Sequence, residues 1–194
     1  MSSVQPVLIF GYGNPGRGDD ALGPEVVAAI ETENLSNAES PLVETQSDMQ
    51  LQVEHVTDLE GRERVLFVDA DMSCTEPYTF STQEPEKDGS YTSHAMTPGA
   101  LLHAYKKVYG ADAPPAYMLR IRGYDFELGD PMGEPATANL ASAIELVKML
   151  CADASEENWS KHLSKETSKH SAASACPSCS SYTLSTSIES IPND

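Results

Sequence analysis

The sequence predicts an α/β protein: one domain with a mainly parallel, twisted sheet of about five strands, helices on both faces, and a disordered C-terminal tail. Three observations carry this expectation. Short apolar runs alternate with amphipathic stretches from Val7 to Leu150, the pattern of repeated strand–helix–strand units. The strongest runs, Val7-Leu8-Ile9-Phe10 and Val65-Leu66-Phe67-Val68, are continuously apolar, as strands covered on both faces require. Finally, the forty residues from Ser155 onward carry twelve serines and few apolar side chains, too little to offset the entropy of ordering them. The domain is therefore expected over residues 1–152 and the tail over 153–194, with a short helix around Glu156 to Leu163.

Each element has its own signal. Val7 to Phe10 reads as a buried strand that runs into Gly11-Tyr12-Gly13-Asn14-Pro15-Gly16-Arg17-Gly18, a loop that must turn sharply. Asp19 and Asp20 precede a helix with an apolar face of Val26, Val27 and Ile30, acids at a helix start being favoured by its exposed N–H groups. Leu42 to Thr45 is a short strand, and Gln50 to Leu59 a short helix ended by Gly61. Arg64 to Asp69 is the clearest strand, and Tyr78 to Thr82 alternates like a half-exposed one. Thr97-Pro98 supplies a hydroxyl cap and a proline for a helix facing inward on Leu101, Leu102, Tyr105 and Val108, stopped by Gly110. Ala116 to Ile121 is a strand, and Thr137 to Leu150 a last helix on Leu140, Ile144, Val147 and Leu150.

Composition narrows the function. The chain has 194 residues and a formal charge of −18, which argues against nucleic acid or an anionic membrane as a partner. Its first residues have no basic segment ahead of a signal-like apolar run, and no stretch is long enough to span a bilayer. A cytoplasmic monomer is expected, with Cys74, Cys151, Cys176 and Cys179 reduced. Cys176-Pro-Ser-Cys179 has the spacing of a metal half-site or redox pair. It stands in the serine-rich segment without a second such pair, and an incidental pair is the simpler reading.

Gly11-x-Gly13-x-x-Gly16 matches the dinucleotide-binding fingerprint. Asp19 and Asp20 occupy the helix start where a pyrophosphate would sit, and Pro15 with Arg17-Gly18 separates the third glycine from the helix. A carboxylate at the mouth of such a loop suits a cation or a proton. Asp20 after the first strand, Asp69 at the end of the strongest strand, and His94 ahead of the Thr97 helix all fall at the carboxyl edge of a parallel sheet. Two carboxylates and an imidazole make a plausible three-ligand metal set. Read one at a time, Asp20 is equally a helix cap, Asp69 an acid bonded to backbone amides, and His94 a loop histidine.

The runs GYGNPGRGDDALGP, VLFVDA, SYTSHAMTPGALL and IRGYDFELGDPM, in that order over about residues 5 to 150, resemble the maturation proteases of nickel–iron hydrogenases. The Ser-His-x-x-x-Pro and Gly-x-x-Phe-Glu-Leu-Gly versions resemble the branch serving soluble or NAD-reducing hydrogenases. The resemblance implies an endopeptidase that removes the C-terminal extension of a nickel-loaded large-subunit precursor, the nickel being held by that substrate. It places the metal-binding and catalytic residues on Asp20, Asp69 and His94, although many members have Glu where this chain has Asp20. Asp19 and Asp71 are candidates for the base, and equally a cap and a loop acid. No HExxH or GxSxG supplies a nucleophile, and Cys74 has no evident histidine partner. A nickel-binding assembly factor without proteolysis is the alternative; a nucleotide-binding protein is a third.

Overall fold

A computed structural model describes residues 4–36, 43–87 and 96–164. His94, Cys176, Cys179 and the segment from Lys165 to Asp194 lie outside the described residues. Five strands form one sheet: β1 (Val7–Tyr12), β2 (Val43–Asp48), β3 (Arg64–Asp71), β4 (Tyr78–Gln83) and β5 (Ala116–Arg122). Their spatial order is β2-β1-β3-β5-β4, with β4 alone antiparallel, on β5. Chain order and spatial order part at the β1/β3 pair. The chain leaves β1 for β2 on one side, while β3 lies on the other. The crevice beyond the carboxyl ends of such a pair is where open α/β sheets place their ligands.

Helices α1 (Leu22–Ser36) and α3 (Glu134–Ala152) cover one face, joined by α4 (Glu156–Lys161). There Val7, Ile9, Val26, Val27, Ile30, Leu119, Leu146, Val147 and Leu150 form one core. Helix α2 (Pro98–Tyr109) and a 3-10 helix over Val53–Leu59 cover the other face, over Leu8, Phe10, Val65, Phe67 and Met118. The alternation of β1 is thus split between two cores, which is why its sequence is apolar throughout. The Thr97 hydroxyl accepts the Ala100 N–H at 3.1 Å, Pro98 opens α2, and Gly110 ends it at φ 66°. Val108 departs from expectation and is exposed. Tyr109, one turn beyond Tyr105, takes its place, with the two rings 4.6 Å apart.

The domain also reaches past the boundary expected at residue 152. Trp159 is 1 % exposed, its ring 4.8 Å from Tyr117 and 6.2 Å from Phe80. Its indole N–H donates to the Leu150 carbonyl at 3.0 Å. Ser164 then clasps the edge strand β4: its N–H donates to the Phe80 carbonyl, and its hydroxyl accepts the Phe80 N–H, at 2.8 and 2.9 Å. Composition averaged over forty residues hid one aromatic anchor at the start of that stretch.

Replacing Trp159 with Ala should cost about 3–5 kcal/mol, the usual penalty for emptying a core aromatic site. Ending the chain after Asp153 should lower the melting temperature at least as much, whereas ending it after Ser164 should leave it nearly unchanged. Thermal unfolding of the three chains checks this.

Candidate functional site at the carboxyl edge of the sheet

Glycines set the approach of α1 to the sheet. A Cβ on Gly11 would lie 2.3 Å from the Gly23 carbonyl oxygen, so the start of α1 presses directly on β1. Gly13 takes φ 140°, and a Cβ there would meet the Asp20 carbonyl oxygen at 2.1 Å. Two of the glycines that resemble a phosphate loop, Gly11 and Gly13, are thus required by close backbone packing, and they fold the chain back so that Asp20 stands over the end of β1. The Asp20 carboxylate accepts the Asn14 N–H at 2.9 Å.

Asp19 is a structural latch and does not suit the role of a base. It is 1 % exposed and accepts three backbone N–H groups: Tyr124 at 2.7 Å, Asp125 at 3.1 Å and Gly133 at 2.9 Å. Its own N–H donates to the Asp125 carbonyl at 2.8 Å. Asp71 is also committed. One of its oxygens accepts the Ser73 N–H and hydroxyl, each at 2.6 Å, and the Cys74 N–H at 3.1 Å. Burial pushes its carboxyl up, but the Ser73 and Cys74 bonds and the charge of Arg120 outweigh that and hold it below the usual range. Burial first, then the charge of Asp71, pushes the Cys74 thiol up to about 11, which disfavours its thiolate.

Asp69 stands one rung past the last paired residues of β1 and β3, Gly11 and Val68. That rung belongs to Tyr12 on one side and, by register, to Arg120 of β5 on the other. Asp69 accepts the Ala70 N–H at 2.8 Å and a hydrogen bond from the Tyr12 hydroxyl. Burial pushes its carboxyl up to about 7 against the Ala70 bond; the charge of Asp20 adds to the rise, the Tyr12 bond opposes it, and Asp71 adds a little more. Burial, with Asp69 as neighbour, likewise pushes the Tyr12 phenol well above its ordinary value. Asp20 and Asp69 therefore stand within each other's electrostatic reach at the switch point.

Among the described residues, no three His, Cys, Asp or Glu side chains are placed to hold a metal ion. His55, which the sequence reading passed over, is buried at the β2 end of this edge. Its Nδ1 accepts the Gln52 N–H at 3.0 Å, and its Nε2 is 3.4 Å from Asp48. It closes the start of the 3-10 helix and is committed to the fold. Tyr12 and Arg120 are site neighbours that motif reading missed. Their signal was positional, one following the first strand and the other on the Asp69 side of AYMLRIR.

Two variants separate latch from site. Asp19→Ala orphans three backbone N–H groups at about 1–3 kcal/mol each, so urea unfolding should show a loss of several kcal/mol. Asp69→Asn should act in the opposite direction. An Asp with an ordinary value of 3.8 raised to about 7 keeps in the folded state a proton that the unfolded chain releases. Stability is lost as pH rises through that window, at up to about 1.4 kcal/mol per unit. The Asn variant should therefore melt above the wild type at pH 8, with the advantage shrinking towards pH 4. An advantage independent of pH would contradict the raised value.

No family model matches the chain, and no curated protein matches it in sequence. Solved structures do. A [NiFe] hydrogenase maturation protease HycI from Thermococcus kodakarensis superposes with a TM-score of 0.56 at 22 % identity, covering 77 % of this chain and 94 % of its own. The hydrogenase maturating endopeptidase HybD from E. coli gives 0.56 at 19 %, covering 74 % and 90 %. A hydrogenase 2 maturation peptidase from a Thaumarchaeota archaeon gives 0.51 at 24 %, covering 76 % and 97 %. The chain has the fold of the hydrogenase maturation proteases over nearly the whole length of those proteins.

Proposed function

We propose that this protein is an endopeptidase that removes the C-terminal extension of a nickel-loaded nickel–iron hydrogenase large-subunit precursor. The observation that carries this reading is the pairing of Asp20 and Asp69 at the switch point of a fold shared with solved hydrogenase maturation proteases. In this reading the two carboxylates and His94 grip the nickel that the precursor presents. Met96, two residues after His94, donates its N–H to the Leu51 carbonyl at 3.2 Å and packs in the same cluster as Tyr12. The described chain therefore resumes beside this edge just past the histidine.

The chemistry is metal-assisted amide hydrolysis. Nickel held by the substrate polarises the scissile carbonyl or lowers the pKa of a bound water. Water adds its oxygen to the carbonyl carbon, the C–N bond breaks, and the leaving nitrogen gains a proton. Docking through the metal supplies the orientation that turns a slow encounter into a positioned one. A precursor without nickel lacks the group that these residues bind, so the cut waits for metal insertion. Carboxylates at the mouth of the glycine loop disfavour a phosphate there, which argues against the nucleotide reading.

The test is incubation with nickel-loaded precursor, followed by intact-mass measurement of the large subunit. The wild type should remove the mass of the extension. Asp20→Asn and His94→Ala should melt as the wild type does and leave the precursor whole. A wild type that binds the precursor but leaves its mass unchanged would be an assembly factor, and the protease reading would fall.

A further inference from the structure

We propose that Arg120 is a catalytic residue of this site, its guanidinium receiving the oxygen of the scissile carbonyl as negative charge gathers there. The inference rests on the endopeptidase reading above. Its ground is a guanidinium on the same rung as Asp69, ion-paired with Asp71 but closing no hydrogen bond to it. Arg120 is the register partner of Asp69 on the neighbouring strand, so both side chains leave the sheet on the same face at the same level. Its Nε stands 3.9 Å from the Asp71 carboxylate, beyond hydrogen-bond distance, and is buried with no partner. The side chain as a whole keeps 44 % of its surface.

Asp71 is the carboxylate that faces this cation: its Oδ1 is filled by the Ser73–Cys74 turn, and its Oδ2 pairs with the Arg120 Nε across 3.9 Å without a hydrogen bond. The neighbouring arginines at this edge are spent on the fold. Arg17 donates from Nε to the Phe126 carbonyl at 3.1 Å. Arg122 donates to the Cys74 carbonyl at 3.3 Å and lies over the Tyr124 ring, 5.3 Å from its centre. The Nε is buried, so an incoming oxygen would meet the exposed end of the guanidinium, beyond the Asp71 pair.

Amide hydrolysis needs such a donor. When the water oxygen bonds to the carbonyl carbon, the C=O pair moves onto oxygen, and a fixed N–H donor stabilises that charge without giving up its own proton. When the C–N bond breaks, the pair returns to form C=O, and the leaving nitrogen takes the proton that the water released. A planar guanidinium presents paired N–H groups to one oxygen or to two, and donors of this kind are worth about 100- to 1,000-fold in rate. Tyr12 and Ala70 meanwhile hold the Asp69 carboxylate by hydrogen bonds.

The experiment compares single-turnover cleavage of nickel-loaded precursor by the wild type, Arg120→Ala and Arg120→Lys, with melting temperature and precursor affinity measured on each. Arg120→Ala should lose about 100- to 1,000-fold in rate with little change in affinity, and added guanidinium ion, but not sodium chloride at equal ionic strength, should restore part of it. Arg120→Lys, which keeps the charge but not the paired donors, should fold and remain slow; it carries the comparison if the Ala variant does not fold. Either variant cleaving at the wild-type rate overturns the inference, as does rescue by sodium chloride equal to that by guanidinium. A wild type that does not cleave removes the endopeptidase reading itself, a result distinct from both.

Discussion

The structure around the site depends on the buried carboxylate of Asp19. Three backbone N–H groups from the loop after β5 converge on it, and its own N–H returns a bond to that loop. Gly18 and Gly129 add two more backbone bonds between the same segments, to Asp130 and Gly16. The loops following β1 and β5 are thereby one unit, although β3 lies between their strands. A buried carboxylate is costly unless its lone pairs are filled, and here they are filled by groups that a loop would otherwise leave unpaired. The neighbour of Asp19 inherits this rigidity, which is how Asp20, in the 3-10 turn Gly18–Ala21, acquires a fixed place near Asp69.

The second constraint is electrostatic. In a chain of charge −18, Asp20, Asp69 and Asp71 crowd one edge of the sheet, and Asp69 and Asp71 meet the repulsion differently. Asp71 turns to its own serine–cysteine turn and stays ionised. Asp69 is raised by burial and by Asp20, so it shares the edge at the cost of holding its proton more tightly. Arg120 supplies the opposite charge without closing a bond to any of them.

Stability of the sheet is managed at its far edge. Strand β4 is antiparallel and would present unpaired backbone groups to solvent. Ser164 covers it through two bonds to Phe80, and Trp159 fills the space between Phe80, Tyr117 and the end of α3. The packing that closes this edge is remote from Asp20 and Asp69, so stability and chemistry are separable by mutation.

Much of this was written in the sequence, because it depends on local rules. Continuous apolar strands, helical spacing on Val26, Val27 and Ile30, and the Thr97-Pro98 start with its Gly110 stop each follow from a few neighbouring residues, and so does the placing of Asp20 and Asp69 at strand ends. What needed the tertiary structure were the roles that depend on partners distant in sequence. Asp19 and Asp20 are adjacent and chemically alike. One became a latch because Tyr124, Asp125 and Gly133 arrive from more than a hundred residues away, and the other accepts one local N–H, that of Asn14. Tyr12, Asp69 and Arg120 became neighbours through the register of three strands. Trp159 looked like part of a polar tail until Phe80 and Tyr117 were brought beside it. Sequence patterns carry local propensity and burial periodicity, whereas the choice of which buried groups meet is made by long-range packing, which no local window contains.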